Sequence, residues 1–241
     1  MNRSILVPLL IALGLFGCDT TVQPPIPAPP EGLAVYSAVR AFDSTHYALV
    51  SRPRAADERP IQYVQDATVR IGGQALSVVP EDSINRYGYR PLTPPGQRSA
   101  NYVADSLPIR PGKTYRLRVT TEEHTVTGKV CVPGAFTGVV DSMTVRWHPS
   151  QGAQLYKVRV RRYAEYDVAW EFVTTTRDTS ATIVPEAVRY NASFEPGPHE
   201  VIITAADSNL VRYRKATVRR AGIEGGFGFF GAITRIQGTV S

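Results

Sequence analysis

An all-β fold of two consecutive antiparallel β-sandwiches is what this chain predicts, and three observations carry the prediction. Short runs alternate apolar and polar residues, as in Thr114-Tyr115-Arg116-Leu117-Arg118-Val119 and Tyr156-Lys157-Val158-Arg159-Val160. Period-two alternation is the pattern of a strand with one buried face. Turn signals separate the runs: Gly72-Gly73, Pro111-Gly112, Gln151-Gly152 and Pro196-Gly197. Finally, the only cysteines are Cys18 and Cys131, so packing of side chains, not a set of disulfides, must hold each domain.

The first residues stand apart from that pattern. Arg3 supplies a positive start, and Ile5 to Phe16 is apolar apart from Pro8 and Gly14. The run is too short for the roughly twenty residues of a spanning helix and fits a cleaved secretory signal over residues 1–17. Leu15-Phe16-Gly17-Cys18 resembles the lipobox of bacterial lipoproteins, with Phe16 where smaller residues are commoner. The resemblance implies cleavage before Cys18, a diacylglycerol thioether on its sulfur and acylation of the new amino group. A single acyl chain binds a membrane marginally, at about 0.8 kcal/mol per buried CH₂, whereas two or more anchor stably. Cys18 and the proline-rich segment to residue 31 then form a tether. Pro24, Pro25, Pro27, Pro29 and Pro30 favour an extended spacer, with a reach of roughly 35–40 Å at ~3.1 Å per residue.

Removing residues 1–17 leaves 224 residues, enough for one large or two ordinary domains. A first sandwich is expected over 32–135. Its strands include Leu33–Val39, Tyr47–Val50, Ala67–Ile71 with Val69 and Ile71 inward, and Asn101–Val103. In Thr114–Val119, Tyr115, Leu117 and Val119 point inward; Glu122-Glu123-His124 caps the hairpin that follows. Tyr87 to Arg98 reads as a long exposed loop. Cys131, in a strand-like run, is expected to be a small buried apolar residue, a reactive thiol being the alternative.

A second sandwich is expected over 136–221. Met143, Val145 and Trp147 share one face. Tyr156, Val158 and Val160 face the core, with Lys157, Arg159 and Arg161 toward water. The last part, 222–241, is a glycine- and aromatic-rich tail. The whole sequence carries a net charge of +6. Its basic residues gather at Lys157, Arg159, Arg161 and Arg162, and at Arg212, Arg214, Lys215, Arg219 and Arg220. The plain account is a solvated strand face that discourages edge pairing; the alternative is attraction to an anionic polymer or lipid headgroups.

Two resemblances extend this. Val145-x-Trp147-x-Pro149, Tyr156-x-Val158 and Pro196-Gly197 before Val201-x-Ile203-x-Ala205-x-Asp207 resemble a fibronectin type III domain, an immunoglobulin-like sandwich. The chain taken whole resembles a family of Bacteroidota-type lipoproteins of unknown function, DUF4249. The matching features are the lipobox, Asp66-Ala67-Thr68-Val69, Pro111-Gly112-Lys113-Thr114-Tyr115-x-Leu117, Val132-Pro133 and Gly226-x-Gly228-x-Phe230-Gly231-Ala232. That resemblance implies stacked β-sandwiches with the tail packed back on them, and no activity.

No catalytic constellation emerges. Gly226-Phe227-Gly228-Phe229-Phe230-Gly231 fits G-x-G-x-x-G literally, but a dinucleotide site needs a helix after it and an acid about twenty residues on. The glycines instead allow close backbone approach while Phe227, Phe229 and Phe230 cover apolar surface. Exposed, the same residues would form a partner surface for a protein or a sugar ring. His46, His124, His148 and His199 lie far apart, without zinc-ligand spacing. Asp43 and His46 lack the nucleophile elbow a triad needs. Asn191-Ala192-Ser193 matches a glycosylation sequon. No catalytic residue, metal or cofactor is expected, and no nucleic acid.

The expected function is a non-enzymatic envelope lipoprotein held at the outer membrane through Cys18, either a binding module whose loops contact a protein or glycan partner or a structural module. A carbohydrate-binding accessory of a nutrient-uptake system is the second expectation, and a hydrolase with a loop-built site the third.

Overall fold

The computed structural model describes residues 31–53, 62–80, 100–141, 144–164, 167–182, 199–214 and 220–240. The signal, Cys18, the proline tether, the loop Tyr87–Arg98, Pro196-Gly197 and Asn191-Ala192-Ser193 lie outside these residues. The described residues are nearly all β, as the alternation predicts. In chain order they form β1 (Ala34–Arg40), β2 (Thr45–Ser51), β3 (Thr68–Ile71), β4 (Gln74–Ala75), β5 (Ser77–Val78), β6 (Tyr102–Asp105), β7 (Thr114–Thr120), β8 (Thr125–Cys131) and β9 (Gly138–Asp141). There follow β10 (Thr144–Trp147), β11 (Leu155–Ala164), β12 (Asp167–Thr176), β13 (Ser180–Thr182) and β14 (His199–Ala206). The short helix α1 (Ser208–Tyr213) precedes β15 (Arg220–Ala221), β16 (Ile223–Glu224) and β17 (Phe227–Val240). No helix among the described residues is long and apolar enough to cross a membrane.

The strands make three sheets. The largest runs β12-β11-β14-β17-β1-β2-β6-β5, with β15 beside β17. A second runs β16-β8-β7-β3-β4, and a third β13-β10-β9. One apolar cluster joins the large sheet to the second, with Val35, Val39, Tyr102 and Phe230 meeting Ile71, Leu117, Val119 and Val130. Another joins it to the third sheet, with Tyr156, Val158 and Ile203 meeting Val145 and Trp147. The rings of Trp147 and Tyr156 lie 5.2 Å apart, as the expected core tryptophan requires.

Strand β17 serves both clusters. Its first half pairs in parallel with β1, from Ala34↔Phe227 to Arg40↔Ile233. Its second half pairs antiparallel with β14, from Ala206↔Ile233 to His199↔Val240. The glycine-rich segment expected to lie on the fold as a tail is thus a central strand of its largest sheet. Gly228 shows why glycine is needed there: its φ is +98°, and a Cβ would collide with the Val35 carbonyl oxygen.

Local turns follow the sequence signals. Gly72 and Gly73 both have positive φ, 59° and 90°, the requirement of a two-residue hairpin turn, here joining β3 to β4. Strand β7 alternates as expected, with Leu117 and Val119 buried and Arg116 and Arg118 exposed. Cys131 corrects its expectation: it is exposed. Val126 and Val130 set the inward parity of β8, which leaves Thr127, Lys129 and Cys131 outward.

Candidate functional site

The outward face of the large sheet carries a cleft of about 300 Å³, at the small end of ligand pockets. Strand register builds it row by row. Leu155, Ala206, Ile233 and Arg40 form one row across β11, β14, β17 and β1. Lys157, Thr204 and Arg235 form the next, and Arg159, Ile202 and Gln237 the third. Their inward neighbours Tyr156, Val158, Ala205 and Ile203 belong to the core, so alternation forces this set to face out.

Two further elements wall the cleft. Helix α1 crosses the same sheet face and packs Leu210 on Ala38, Phe229 and Ile233; its C-cap residue Arg214 lines the cleft. The end of β1 supplies Arg40, and the turn that follows supplies Phe42 and Asp43. It is fixed by Ala41 N–H to Ile233 O at 2.9 Å and Phe42 N–H to Ile109 O at 3.0 Å. Phe42 is 69% exposed and holds a φ of 71°, a left-handed conformation that bulky residues rarely adopt. A strained, exposed aromatic at the rim of a cleft costs stability and so points to use of the site.

Among the described residues five cations, Arg40, Lys157, Arg159, Arg214 and Arg235, line the cleft beside one carboxylate, Asp43. Arg40 pairs with Asp43 at 3.3 Å. Arg159 and Arg161 share Glu171, at 3.1 Å and 2.7 Å. Lys157, Arg214 and Arg235 form no salt bridge among the described residues. Burial depresses the Lys157 ammonium below its ordinary range, and Arg159 and Arg214 push it further down, against a smaller upward pull from Glu171. An uncompensated positive field over an apolar floor of Leu155, Ile202 and Ile233 suits an anion attached to an apolar ring or chain.

Other candidate residues lie elsewhere. Phe229 and Phe230 are buried, and Phe227 is half-buried under the Arg220 guanidinium at 5.0 Å; this corrects the expectation of a partner surface at these three residues. Phe229 and Phe230 are core because the first half of β17 is covered on both faces. His46 is buried, 1% exposed. Its Nε2 lies 3.0 Å from the Asp43 backbone carbonyl, inside the fold. Among the described residues no three His, Cys, Asp or Glu side chains gather closely enough to hold a metal ion.

Burial holds the His46 pKa below 6.5, opposed by its hydrogen bond to Asp43 and by the Asp43 charge. A base depressed in the folded state contributes stability that is full above 6.5 and is lost as pH falls through the lower folded value. The urea midpoint of the wild type is therefore expected to drop as buffer is taken from neutral to mildly acidic. His46→Gln should flatten that slope; an unchanged slope would show that His46 is not its source.

Lys215 and Arg219 lie outside the described residues; the described members of the basic clusters are divided between two faces. Lys157 and Arg159 join Arg214 in the cleft, whereas Arg212 and Arg220 lie on another face. Arg235, Arg40 and Phe42 carried no signal, because only strand register brings them here. The family model described as Domain of unknown function (DUF4249) matches residues 19–182. No curated protein matches the chain.

Proposed function

The chain belongs to the DUF4249 family, and from that premise we propose that it is a lipid-anchored, non-enzymatic binding protein of the bacterial envelope whose cleft takes an anionic sugar. The observation that carries the ligand class is the cleft itself: Lys157, Arg214 and Arg235, without salt bridges among the described residues, beside the exposed ring of Phe42. Charged donors hold a carboxylate or sulfate. The Phe42 ring offers an apolar platform to a sugar face, and the floor accepts the rest of the ring. This favours the carbohydrate-binding expectation over a purely structural module.

The anchor rests on Leu15-Phe16-Gly17-Cys18, and the proline tether would set the reach of the binding unit from Cys18 at up to roughly 35–40 Å. The fibronectin type III-like character of the second half is supported by three strands facing four, β13-β10-β9 against β12-β11-β14-β17, around Trp147.

Two measurements test the proposal. A fatty-acid analogue should label the wild type and leave Cys18→Ala unlabelled; equal labelling would defeat the anchor. Titration with a uronic-acid oligosaccharide should show binding that weakens with salt, while the neutral sugar of the same ring size binds far more weakly. Equal affinity for both would defeat the anionic ligand class.

A further inference from the structure

The outer face of the β16-β8-β7-β3-β4 sheet is a second, separate concentration of charge. Arg70, Arg116, Arg118 and Lys129 project from it, and Arg212 of α1 and Arg220 of β15 border the same groove of about 830 Å³. Glu224 is the one carboxylate in its lining among the described residues. All six cations are exposed, and none forms a salt bridge among the described residues.

The register makes this arrangement costly. Arg70 lies directly opposite Arg118, and Arg116 directly opposite Lys129. Like charges in directly opposed positions destabilise a sheet. A face that merely kept the protein soluble would alternate signs; this one stacks one sign over three adjacent strands and adds two arginines from another part of the chain.

Its place relative to the N-terminus, taken with the lipid-anchor reading, points to the partner. The described chain begins at Glu31. The Leu33 carbonyl accepts from the Phe227 N–H at 2.9 Å, and the Arg220 guanidinium lies over the Phe227 ring. The segment that leads from Cys18 therefore joins the fold beside one of the six cations. We propose that this face docks on the anionic phospholipid headgroups of the membrane that holds the N-terminal lipid, so that the protein lies against the bilayer by this sheet. The cleft, on the large sheet, remains a distinct site. The choice of a bilayer rests on the lipid-anchor reading above; the charge pattern does not.

The test uses the chain from Asp19 onward, which lacks the acylated cysteine and contains every described residue. It should sediment with vesicles of phosphatidylcholine containing anionic phosphatidylglycerol, release at high salt, and ignore pure phosphatidylcholine. Each Lys or Arg near an anionic surface contributes about a fivefold gain in binding, so Arg116→Ser, Arg118→Ser and Lys129→Ser together should cost roughly a hundredfold. An unchanged unfolding midpoint identifies that loss as one of surface charge; if the triple variant is destabilised, Arg118→Ser alone should still cost about fivefold. Equal sedimentation with both vesicle types, or full binding by the triple variant, would overturn the proposal. So would competition by millimolar inorganic phosphate, which would mark a site for free phosphate, or capture by dextran sulfate without vesicle binding, which would mark a soluble polyanion. Absence of label at Cys18 together with anionic vesicle binding would sink the anchor and leave this face standing. A labelled Cys18 with no vesicle binding would do the reverse.

Discussion

Replacing Asp207 with alanine is expected to destabilise the protein by roughly 3–5 kcal/mol, the loss of a helix cap plus buried donors left unpaired. Asp207 is 3% exposed. Its Oδ1 accepts from the N–H groups of Leu210 at 3.1 Å and Ala232 at 3.0 Å, and its Oδ2 from Asn209 N–H at 3.1 Å. One carboxylate thus caps α1 and fastens that helix to β17, next to where β17 changes partner from β1 to β14. Asn209 extends the link: its side-chain amide donates to the Lys129 and Phe230 carbonyls, tying α1 to β8. Alanine strips the Leu210 and Ala232 amides of their side-chain acceptor inside the fold. Asp207→Asn keeps an acceptor oxygen and should cost about 1 kcal/mol. Denaturant titration of the three proteins measures the order.

The charge state adds a check. Burial raises the Asp207 pKa above 3.8, against the opposing pull of its hydrogen bonds, that from Ala232 being the largest. A raised folded pKa means its contribution is full below 3.8 and is lost as pH rises through the folded value. The stability gap between wild type and Asp207→Asn should accordingly be larger in acid than at neutral pH. An equal gap at both would contradict the role of burial.

The second large effect concerns binding. Lys157→Ser with Arg235→Ser should weaken affinity for the acidic oligosaccharide by roughly a hundredfold or more, since hydrogen bonds to charged groups contribute about 1.5–3 kcal/mol each. The same pair of substitutions should leave unfolding free energy unchanged or raised. Lys157 lies among Arg159, Arg161 and Arg214, and removing one of several like charges relieves repulsion. This combination, affinity lost without loss of stability, separates a ligand site from a structural cluster. Because the Lys157 ammonium is depressed, wild-type affinity should also decline at a lower alkaline pH than for a protein using an ordinary lysine.

The parts of the fold that were legible in the sequence are those set by short-range pattern. Leu117 and Val119 alternate with arginines, Gly72-Gly73 supplies the two positive φ angles of a tight hairpin turn, and Trp147 had to be buried in a sandwich without disulfides. The first half of β17 was not legible because it is covered on both faces. Phe229 and Phe230 are consecutive and both buried, so alternation vanishes, and its partner β1 lies at the other end of the chain. Cys131 was misplaced because the valines on either side of Gly128 decide the parity, and the cysteine falls on the outward count. Lys157 and Arg159 were recognised as outward-facing. That they meet Arg214 and Arg235 follows from the registers of β11, β14 and β17, which no local signal encodes.

The most direct test of the account is calorimetric titration of the wild-type chain and the Lys157→Ser, Arg235→Ser variant with one uronic-acid oligosaccharide and its neutral counterpart. The account predicts exothermic, salt-sensitive binding of the acid by the wild type, its collapse in the variant, and little heat from the neutral sugar with either. Matched affinity of both proteins for the acid, or equal binding of the acidic and neutral sugars by the wild type, would contradict it.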